Sequence, residues 1–308
     1  MKKTTTQLRE ILKRPGLIIA PGCYNAMSAK LIEDAGFEVA YMSGGCTSMS
    51  FIGWADVGLI TFDEMLQNLK LITERVNIPV IADADTGYGN ALNLIRTVKA
   101  YIRAGAAAMH VEDQVLPKRC GNLPGKLVVS REEFVGKIRA AKDVINELDP
   151  DFVFIARTDA RNAVGGSLEE AIERGNLYVE AGADAVIADG LQSYDELREF
   201  CRRVKAPVMI FGEKGVSFSR DRIVTAEDME NAGVKIWALP SACYNPALYA
   251  QIEALRILKN ERSLKSIEDR LFTVKQLFEI AGLKEYMKME EKYLPAEDLE
   301  KYKKSVGI

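Results

Sequence analysis

Histidine is nearly missing from this chain: one residue in 308, and that scarcity removes whole classes of chemistry. A His-rich metal centre cannot be assembled, and a Ser-His-Asp triad would have to use His110. Cysteine is sparse as well. Cys23, Cys46, Cys120, Cys201 and Cys243 are odd in number, widely spaced and free of any CxxC pair. This excludes a disulfide framework or a zinc ribbon and fits free thiols in a reducing compartment. No apolar stretch reaches membrane-spanning length. The opening Met-Lys-Lys-Thr-Thr-Thr-Gln-Leu-Arg-Glu has basic charge with no apolar core behind it, so it does not read as a signal peptide. A cytoplasmic location is the expectation. A large excess of one charge is also lacking: the net charge is -3, which offers no reason to expect nucleic acid or a membrane as partner. No Pro/Gly/Ser-rich linker divides the chain.

What is present is an alternation of short apolar runs and amphipathic stretches. Strands are expected at Leu17–Ala20, Val39–Met42, Val80–Asp83, Ala107–Val111, Phe152–Arg157, Ala185–Ala188, Val208–Phe211 and Lys235–Leu239. These runs are mostly non-alternating, as in parallel strands buried on both faces. Helices are expected at Ala26–Ala35, Phe62–Val76, Ala91–Ala104, Arg131–Leu148, Leu168–Ala181, Asp195–Val204 and Ala226–Ala232. An Ala-Gly pair closes four of them, at Gly36, Gly105, Gly182 and Gly233, where glycine can take the left-handed conformation that ends a helix. The pattern predicts an α/β chain folded as a (β/α)8 TIM-type barrel over residues 1–260. A doubly wound sheet is the alternative, but no Gly-rich phosphate fingerprint follows the first strand. Residues 261–308 read as a C-terminal helical extension: a helix over Leu264–Leu283 and then a tail rich in Lys and Glu.

In such a barrel the active site lies at the C-terminal ends of the strands. That rule collects Tyr41-Met-Ser43-Gly44-Gly45, Asp83-Ala-Asp85, Glu112-Asp113, Arg157-Thr-Asp159 and Asp189-Gly190. Carboxylates gathered there need a hard divalent cation or shifted pKa values to coexist, so a Mg²⁺-type site beside an anion site is expected. The loop Pro117-Lys-Arg-Cys-Gly-Asn-Leu-Pro-Gly125-Lys places Lys118 and Arg119 against Cys120. The two cations should lower the thiol pKa and attract an anionic substrate, and a mobile lid can carry Cys120 as a general acid. Asp56 could reach the site or cap a turn. His110 reads as a satisfied core histidine on the face of Glu112.

Several strings in order resemble the isocitrate lyase / phosphoenolpyruvate mutase superfamily to about residue 260, most of all its short members, the 2-methylisocitrate and 2,3-dimethylmalate lyases. They are Tyr41-Met-Ser-Gly-Gly, Asp56-Val-Gly-Leu-Ile-Thr61, Ala82-Asp-Ala-Asp-Thr-Gly-Tyr-Gly89, His110-Val-Glu-Asp-Gln114, Lys118-Arg-Cys-Gly121 and Ala156-Arg-Thr-Asp-Ala160. The resemblance implies a Mg²⁺ (or Mn²⁺) enzyme, with Asp83, Asp85 and Glu112 holding the metal and its waters. It implies that Ser43, Gly44 and Gly45 bind a substrate carboxylate that Arg157 neutralises, with Asp56, Gly121, Asn122 and Asp189 around the small-molecule carboxylate substrate. Lys118-Arg119-Cys120-Gly121 would be the gating loop, with Cys120 the acid, Lys118 and Arg119 beside it, and Tyr41 a candidate base. The implied reaction is a retro-aldol carbon–carbon cleavage of a 2- or 3-hydroxy-carboxylate through a metal-stabilised enolate, in a homotetramer that swaps a C-terminal helix.

Three positions depart from the family pattern: Asn122 for histidine, Asp189 for glutamate, and Phe211 for asparagine, and Glu213–Arg220 differs throughout. Oxaloacetate decarboxylation or hydrolysis, a phosphonopyruvate-type mutase and a non-catalytic carboxylate binder are the alternative functions.

Overall fold

The computed structural model describes residues 2–215, 218 and 223–304. Val216, Ser217, Ser219 and Arg220 of the divergent stretch lie outside the described residues. The strands are β1 (Ile18–Cys23), β2 (Ala40–Met42), β3 (Val80–Asp83), β4 (Ala108–Glu112), β5 (Val153–Thr158), β6 (Ala185–Ala188), β7 (Val208–Phe211) and β8 (Ile236–Leu239). All neighbours run parallel, and β8 pairs with β1, so the described residues form a closed eight-stranded barrel. The barrel helices are α1 (Thr4–Lys13), α2 (Ala26–Asp34), α3 (Gly44–Thr47), α4 (Phe62–Arg75), α5 (Ala91–Arg103), α6 (Arg131–Leu148), α7 (Leu168–Glu180), α8 (Tyr194–Arg203) and α9 (Ala226–Ala232). The expected (β/α)8 barrel is therefore the fold.

The strands are short and apolar because both faces are covered. Ala20, Tyr41, Ile81, Ala108, Ile155, Ile187, Met209 and Ala238 fill the barrel, while Ala82, Met109, Val111, Phe154 and Ala156 pack outward against helices. Side chains two apart on a strand share a face, so Tyr41, Asp83, His110, Glu112 and Arg157 belong to the inner face near the strand ends. Asn25, Thr61, Asn90, Ser130, Ser167, Ser193 and Thr225 each cap the helix that follows, accepting a bond from its first turn. The glycine stops hold: Gly36, Gly105, Gly182 and Gly233 have φ of 86°, 87°, 114° and 84°.

Two barrel elements were not foreseen. In α1, Leu8 and Ile11 join Ile18, Val39, Ala107 and Val153 at the starts of the strands. Arg9 fastens this helix by bonds to the Asp151 and Phe152 carbonyls and the Asp184 carboxylate. The N-terminal mouth is closed, which leaves the C-terminal end for a ligand. The second is α3 and the π-helical turn Ser48–Ile52 after it, which begin directly at Ser43.

By its internal contacts the chain divides into two units, Met1–Pro246 and Ala247–Ile308, with the divide inside α10 (Tyr244–Glu261). The second unit continues through a 3₁₀ turn, Lys265–Arg270, to α11 (Val274–Ile280), α12 (Leu283–Tyr293) and α13 (Ala296–Lys304). The single helix expected over Leu264–Leu283 is corrected to a broken segment. Ile267 leaves helical geometry, Thr273 caps α11 through Gln276, and Gly282 at φ 94° separates α11 from α12. The charged tail is helical.

Candidate active site

Five strand ends supply the site. Tyr41 and Ser43 come from β2, Asp83 and Asp85 from β3, Glu112 from β4, Arg157 and Asp159 from β5, and Asp189 from just past β6. Strand register fixes their neighbours: Asp83 pairs with His110, and Glu112 with Arg157. The backbone brings the expected acids of β3 and β4 side by side. The Asp85 N–H donates to Asp83 Oδ1 at 2.9 Å, and the Glu112 N–H donates to the Asp85 carbonyl at 2.8 Å.

Arg157 holds the acids of the next strands. Its Nε and Nη2 donate to Asp159 at 2.9 and 3.0 Å, Nη2 also meets Asp189 Oδ2 at 2.8 Å, and Nη1 lies 3.2 Å from Glu112 Oε2. This guanidinium already serves three carboxylates, all nearly buried. The planar five-donor fork makes that possible. Phe211, the last residue of β7, lies below: the Arg157 Cζ is 5.6 Å from its ring centroid, and its ring contacts Tyr41 and His110. An apolar ring thus replaces the amide expected there.

The acids fall into two electrical groups. Burial pushes Asp85 up to about 6 despite Lys118, with the Asp83 and Asp56 charges adding to the rise. Burial also raises Glu112 well above the usual carboxylate range, against Arg157 and Lys118. Glu112 Oε1 is buried with no hydrogen-bond partner. Two buried carboxylates on adjacent strands, each with one cation beside it that does not offset its burial, and Glu112 with an orphaned oxygen, are a donor set that suits a hard divalent cation. Among the described residues no three acidic, thiol or imidazole groups make a ready ligand cage. Mg²⁺ does not need one, because it binds through one or two carboxylates and keeps several waters.

Asp113, next to Glu112, points the other way, as strand alternation demands. Its carboxylate accepts from Thr158, Tyr178, Arg174 and the Asp159 N–H, and it ties β4 and β5 to α7.

The basic loop lies across this cluster. Lys118 is buried, and its ammonium pairs with Asp56 and, at 2.8 Å, with Asp85. The Cys120 N–H donates to the Asp56 carbonyl at 3.1 Å, so Asp56 holds the loop through both backbone and side chain. That decides between the two readings of Asp56. A Cβ on Gly121 would stand 2.3 Å from Asp189 Oδ2, so this position sits directly on the Asp189 carboxylate. Gln114 clasps Arg119 from both sides, accepting from its N–H at 3.0 Å and donating to its carbonyl at 2.9 Å. The Arg119 residue itself is exposed, as is Asn122, so neither side chain is brought into the cluster.

Three expectations change. Cys120 was expected to have a lowered pKa; burial raises it, with Asp56 and Asp189 adding to the effect against the Asn122 N–H and Lys118. The neighbouring cation does not dominate because the Lys118 ammonium is turned to Asp56 and Asp85. Tyr41 as a base meets a phenol that burial and the Asp83 charge hold well above its ordinary pKa. It is a proton donor near neutral pH, with its hydroxyl 2.9 Å from His110 Nε2. Burial lowers His110 to about 4 against the pull of Asp83, so the ring is neutral. The Ser43-Gly44-Gly45 turn is also partly engaged: Ser43 Oγ accepts from the Cys46 N–H, and the Gly44 N–H donates to Asp83 Oδ2 at 3.0 Å.

Sequence reasoning missed Lys126, Asn162 and Gln114 as site-building residues; Lys126 and Asn162 stand in no strand-end motif, and Gln114 closes one without a charge to mark it.

The geometry is that of a barrel enzyme with an acidic strand-end centre and a thiol-bearing lid. The family described as phosphoenolpyruvate phosphomutase matches residues 8–258. The chain is 38% identical over 290 residues to 2,3-dimethylmalate lyase of Eubacterium barkeri, covering 94% of this chain and 98% of that protein. It is 41% identical over 281 residues to 2-methylisocitrate lyase of Aeropyrum pernix, covering 91% and 88%. A crystal structure of 2,3-dimethylmalate lyase superposes with a TM-score of 0.89 at 35% identity, covering 96% of this chain and 97% of that one. The chain belongs to the phosphoenolpyruvate mutase/isocitrate lyase superfamily. Among the described residues no helix is long and apolar enough to cross a membrane.

Proposed function

We propose that the protein is a divalent-metal-dependent carbon–carbon lyase. It would cleave a 2- or 3-hydroxy di- or tricarboxylate of the 2,3-dimethylmalate or 2-methylisocitrate type. The observation that carries this reading is the seating of Cys120: a thiol kept protonated by burial, on a loop fastened over the acidic centre. Retro-aldol cleavage leaves a carbanion on the departing acid, and a protonated thiol above it supplies the proton. The two lyase relatives support the same reaction class.

The residues divide the work. Asp83, Asp85 and Glu112 would hold Mg²⁺ or Mn²⁺ and its waters. A cation there supplies Lewis acidity that steadies negative charge developing on the substrate oxygens. Arg157, Asp189 and Ser43–Gly45 orient the substrate. Lys118, Gly121 and Asp56 close the loop and exclude water, which strengthens each electrostatic contact inside. Phe211 under Arg157 takes an apolar substituent better than a third carboxylate, because an uncompensated carboxylate against a ring is costly to desolvate. The dicarboxylate is therefore the preferred substrate.

The test is a panel of 2,3-dimethylmalate, 2-methylisocitrate, isocitrate, oxaloacetate and phosphonopyruvate with Mg²⁺, reading pyruvate, glyoxylate or oxalate release and, for phosphonopyruvate, ³¹P NMR. The expected result is pyruvate from the first two, with the higher kcat/KM on 2,3-dimethylmalate. Turnover of oxaloacetate or phosphonopyruvate alone would replace the lyase reading, and silence across the panel would favour a carboxylate binder.

Assembly as a homotetramer belongs to the same proposal, with the C-terminal helical extension docking on a neighbouring subunit. Phe272, Val274, Leu277 and Phe278 are exposed around α11, and such apolar clusters mark contact surfaces.

A further inference from the structure

Lys126 is the most deeply buried cation of the barrel that the proposed reaction does not use. Its side chain is fully buried, as is that of its partner Asp159. Burying an ion pair gains little stability over an apolar pair, so its presence needs another explanation. Its position supplies one. A short antiparallel bridge, Gln114 with Val128, closes the stem of the excursion that carries Cys120, supported by bonds from Val115 N to Leu127 O and Val129 N to Asp113 O. Beyond that stem, Lys126 Nζ reaches back five residues and donates to the Gly121 carbonyl at 2.8 Å. Asn162, on the loop after β5, donates Nδ2 to the same carbonyl at 3.1 Å. The Val164 N–H donates to the Lys126 carbonyl at 2.9 Å, so the β5 loop holds this lysine by its backbone too.

Gly121 follows Cys120, and a carbonyl gripped by two donors fixes the Gly121–Asn122 peptide, which limits how far the neighbouring Cys120 can move. Asp159, the anchor of Lys126, is also the carboxylate that Arg157 engages through two bonds. Arg157 thus reaches the loop tip through two buried links, Asp159 and Lys126.

We propose that Lys126 and Asn162 are positioning residues that clasp the Gly121 carbonyl, hold the lid shut, and couple its closure to the Arg157–Asp159 pair. This deepens the lyase reading and rests on it for its consequence in turnover; the clasp itself is measurable without any substrate. Opening the lid would give Cys120 back to water and remove the burial that raises its pKa. The charged groups around that thiol are Asp56, Asp189 and Lys118.

The test uses Lys126→Met, which keeps volume and leaves Asp159 on Arg157, and Asn162→Ala, which leaves the buried pair intact. Iodoacetamide labelling of Cys120 in the full-length protein is followed by peptide mass spectrometry, with Cys201 as the internal reference. The expected rise in Cys120 labelling at pH 8 is about fivefold for Asn162→Ala and tens of fold for Lys126→Met, the scale of one neutral and one charge-assisted bond. The labelling pH profile should move down towards an ordinary thiol. With the substrate found by the panel, kcat should fall by similar factors while KM changes less. If Lys126→Met does not fold, Asn162→Ala decides alone. A cooperatively folded Asn162→Ala that labels at the wild-type rate and pH overturns the clasp. Faster labelling of the variants, with wild-type protein turning over no substrate of the panel, supports the clasp and refutes the lyase reading.

Discussion

Replacing Gly121 by alanine is a direct way to separate the closed lid from the chemistry under it. The added Cβ would stand 2.3, 2.4 and 2.5 Å from Oδ2, Oδ1 and Cγ of Asp189. That carboxylate cannot swing aside freely, because Arg157 Nη2 holds it at 2.8 Å. Overpacking of this kind costs about 1–3 kcal/mol. Most of it can be avoided if the loop opens, so the penalty falls on closure and not on folding. Each 1.4 kcal/mol is about tenfold in an equilibrium, so the closed fraction and kcat should drop about 5- to 150-fold. The melting temperature should stay within about 2 °C of wild type, since the open chain escapes the clash. The assay is steady-state pyruvate release with 2,3-dimethylmalate and Mg²⁺, alongside a thermal melt. Wild-type turnover in a folded Gly121→Ala protein would refute the closed geometry. A large drop in melting temperature would show that the loop is a structural element and not a lid.

Other outcomes follow from the same contacts. Cys120→Ser should retain Mg²⁺ and product binding by calorimetry yet lose about a hundredfold or more in turnover; undiminished turnover removes the acid role. Lys118→Met takes an ammonium away from Asp56 and Asp85, so Mg²⁺ should bind about tenfold tighter in calorimetry while turnover falls, and weaker binding would contradict the pairing. Stability should fall at alkaline pH. Burial raises Cys46 to about 11, above its ordinary 9, so the protonated thiol favours the folded state below pH 9 and that contribution is lost as pH climbs through 11. Between pH 8 and 11 it amounts to about 2 kcal/mol, which urea midpoints of wild type and Cys46→Ala would resolve. If the proposed homotetramer forms through α11, placing aspartate at Leu277 and Phe278 should yield a folded monomer in sedimentation, and an unchanged sedimentation coefficient would rule that contact out.

The barrel was legible because its strands are short apolar runs, and β1 to β7 are each followed by a helix with a Ser, Thr or Asn cap. β3, β6 and β7 match their expected limits, since Asp83, Asp189 and Gly212 end the apolar runs abruptly. α1 was missed because Thr4, Thr5 and Thr6 are poor helix formers and its apolar signal is confined to Leu8, Ile11 and Leu12. α3 begins with two glycines and is held by the Ser43 cap, a local signal too brief to read. The acidic residues were legible for a different reason: Asp83, Glu112 and Arg157 lie at strand ends and Asp85 just past one, which is where a barrel of this kind carries its site. The thiol's pKa was misjudged because adjacency in sequence is not adjacency of charge. Lys118 precedes Cys120 by two residues but gives its ammonium to Asp56 and Asp85, and burial then prevails. The Lys126–Asp159 pair joins residues 33 apart in a loop and a strand end, and no periodicity announces it.

The central claim is that a carbon–carbon bond breaks at the acidic strand ends and that Cys120 returns the proton to the departing acid. Its most direct test is cleavage of 2,3-dimethylmalate in D₂O with Mg²⁺, with the propionate examined by NMR. One solvent deuterium at C2, in a single configuration, is the predicted product, and Cys120→Ser should make it only at a small fraction of the rate. Label in both configurations, or wild-type labelling by Cys120→Ser, would contradict the account.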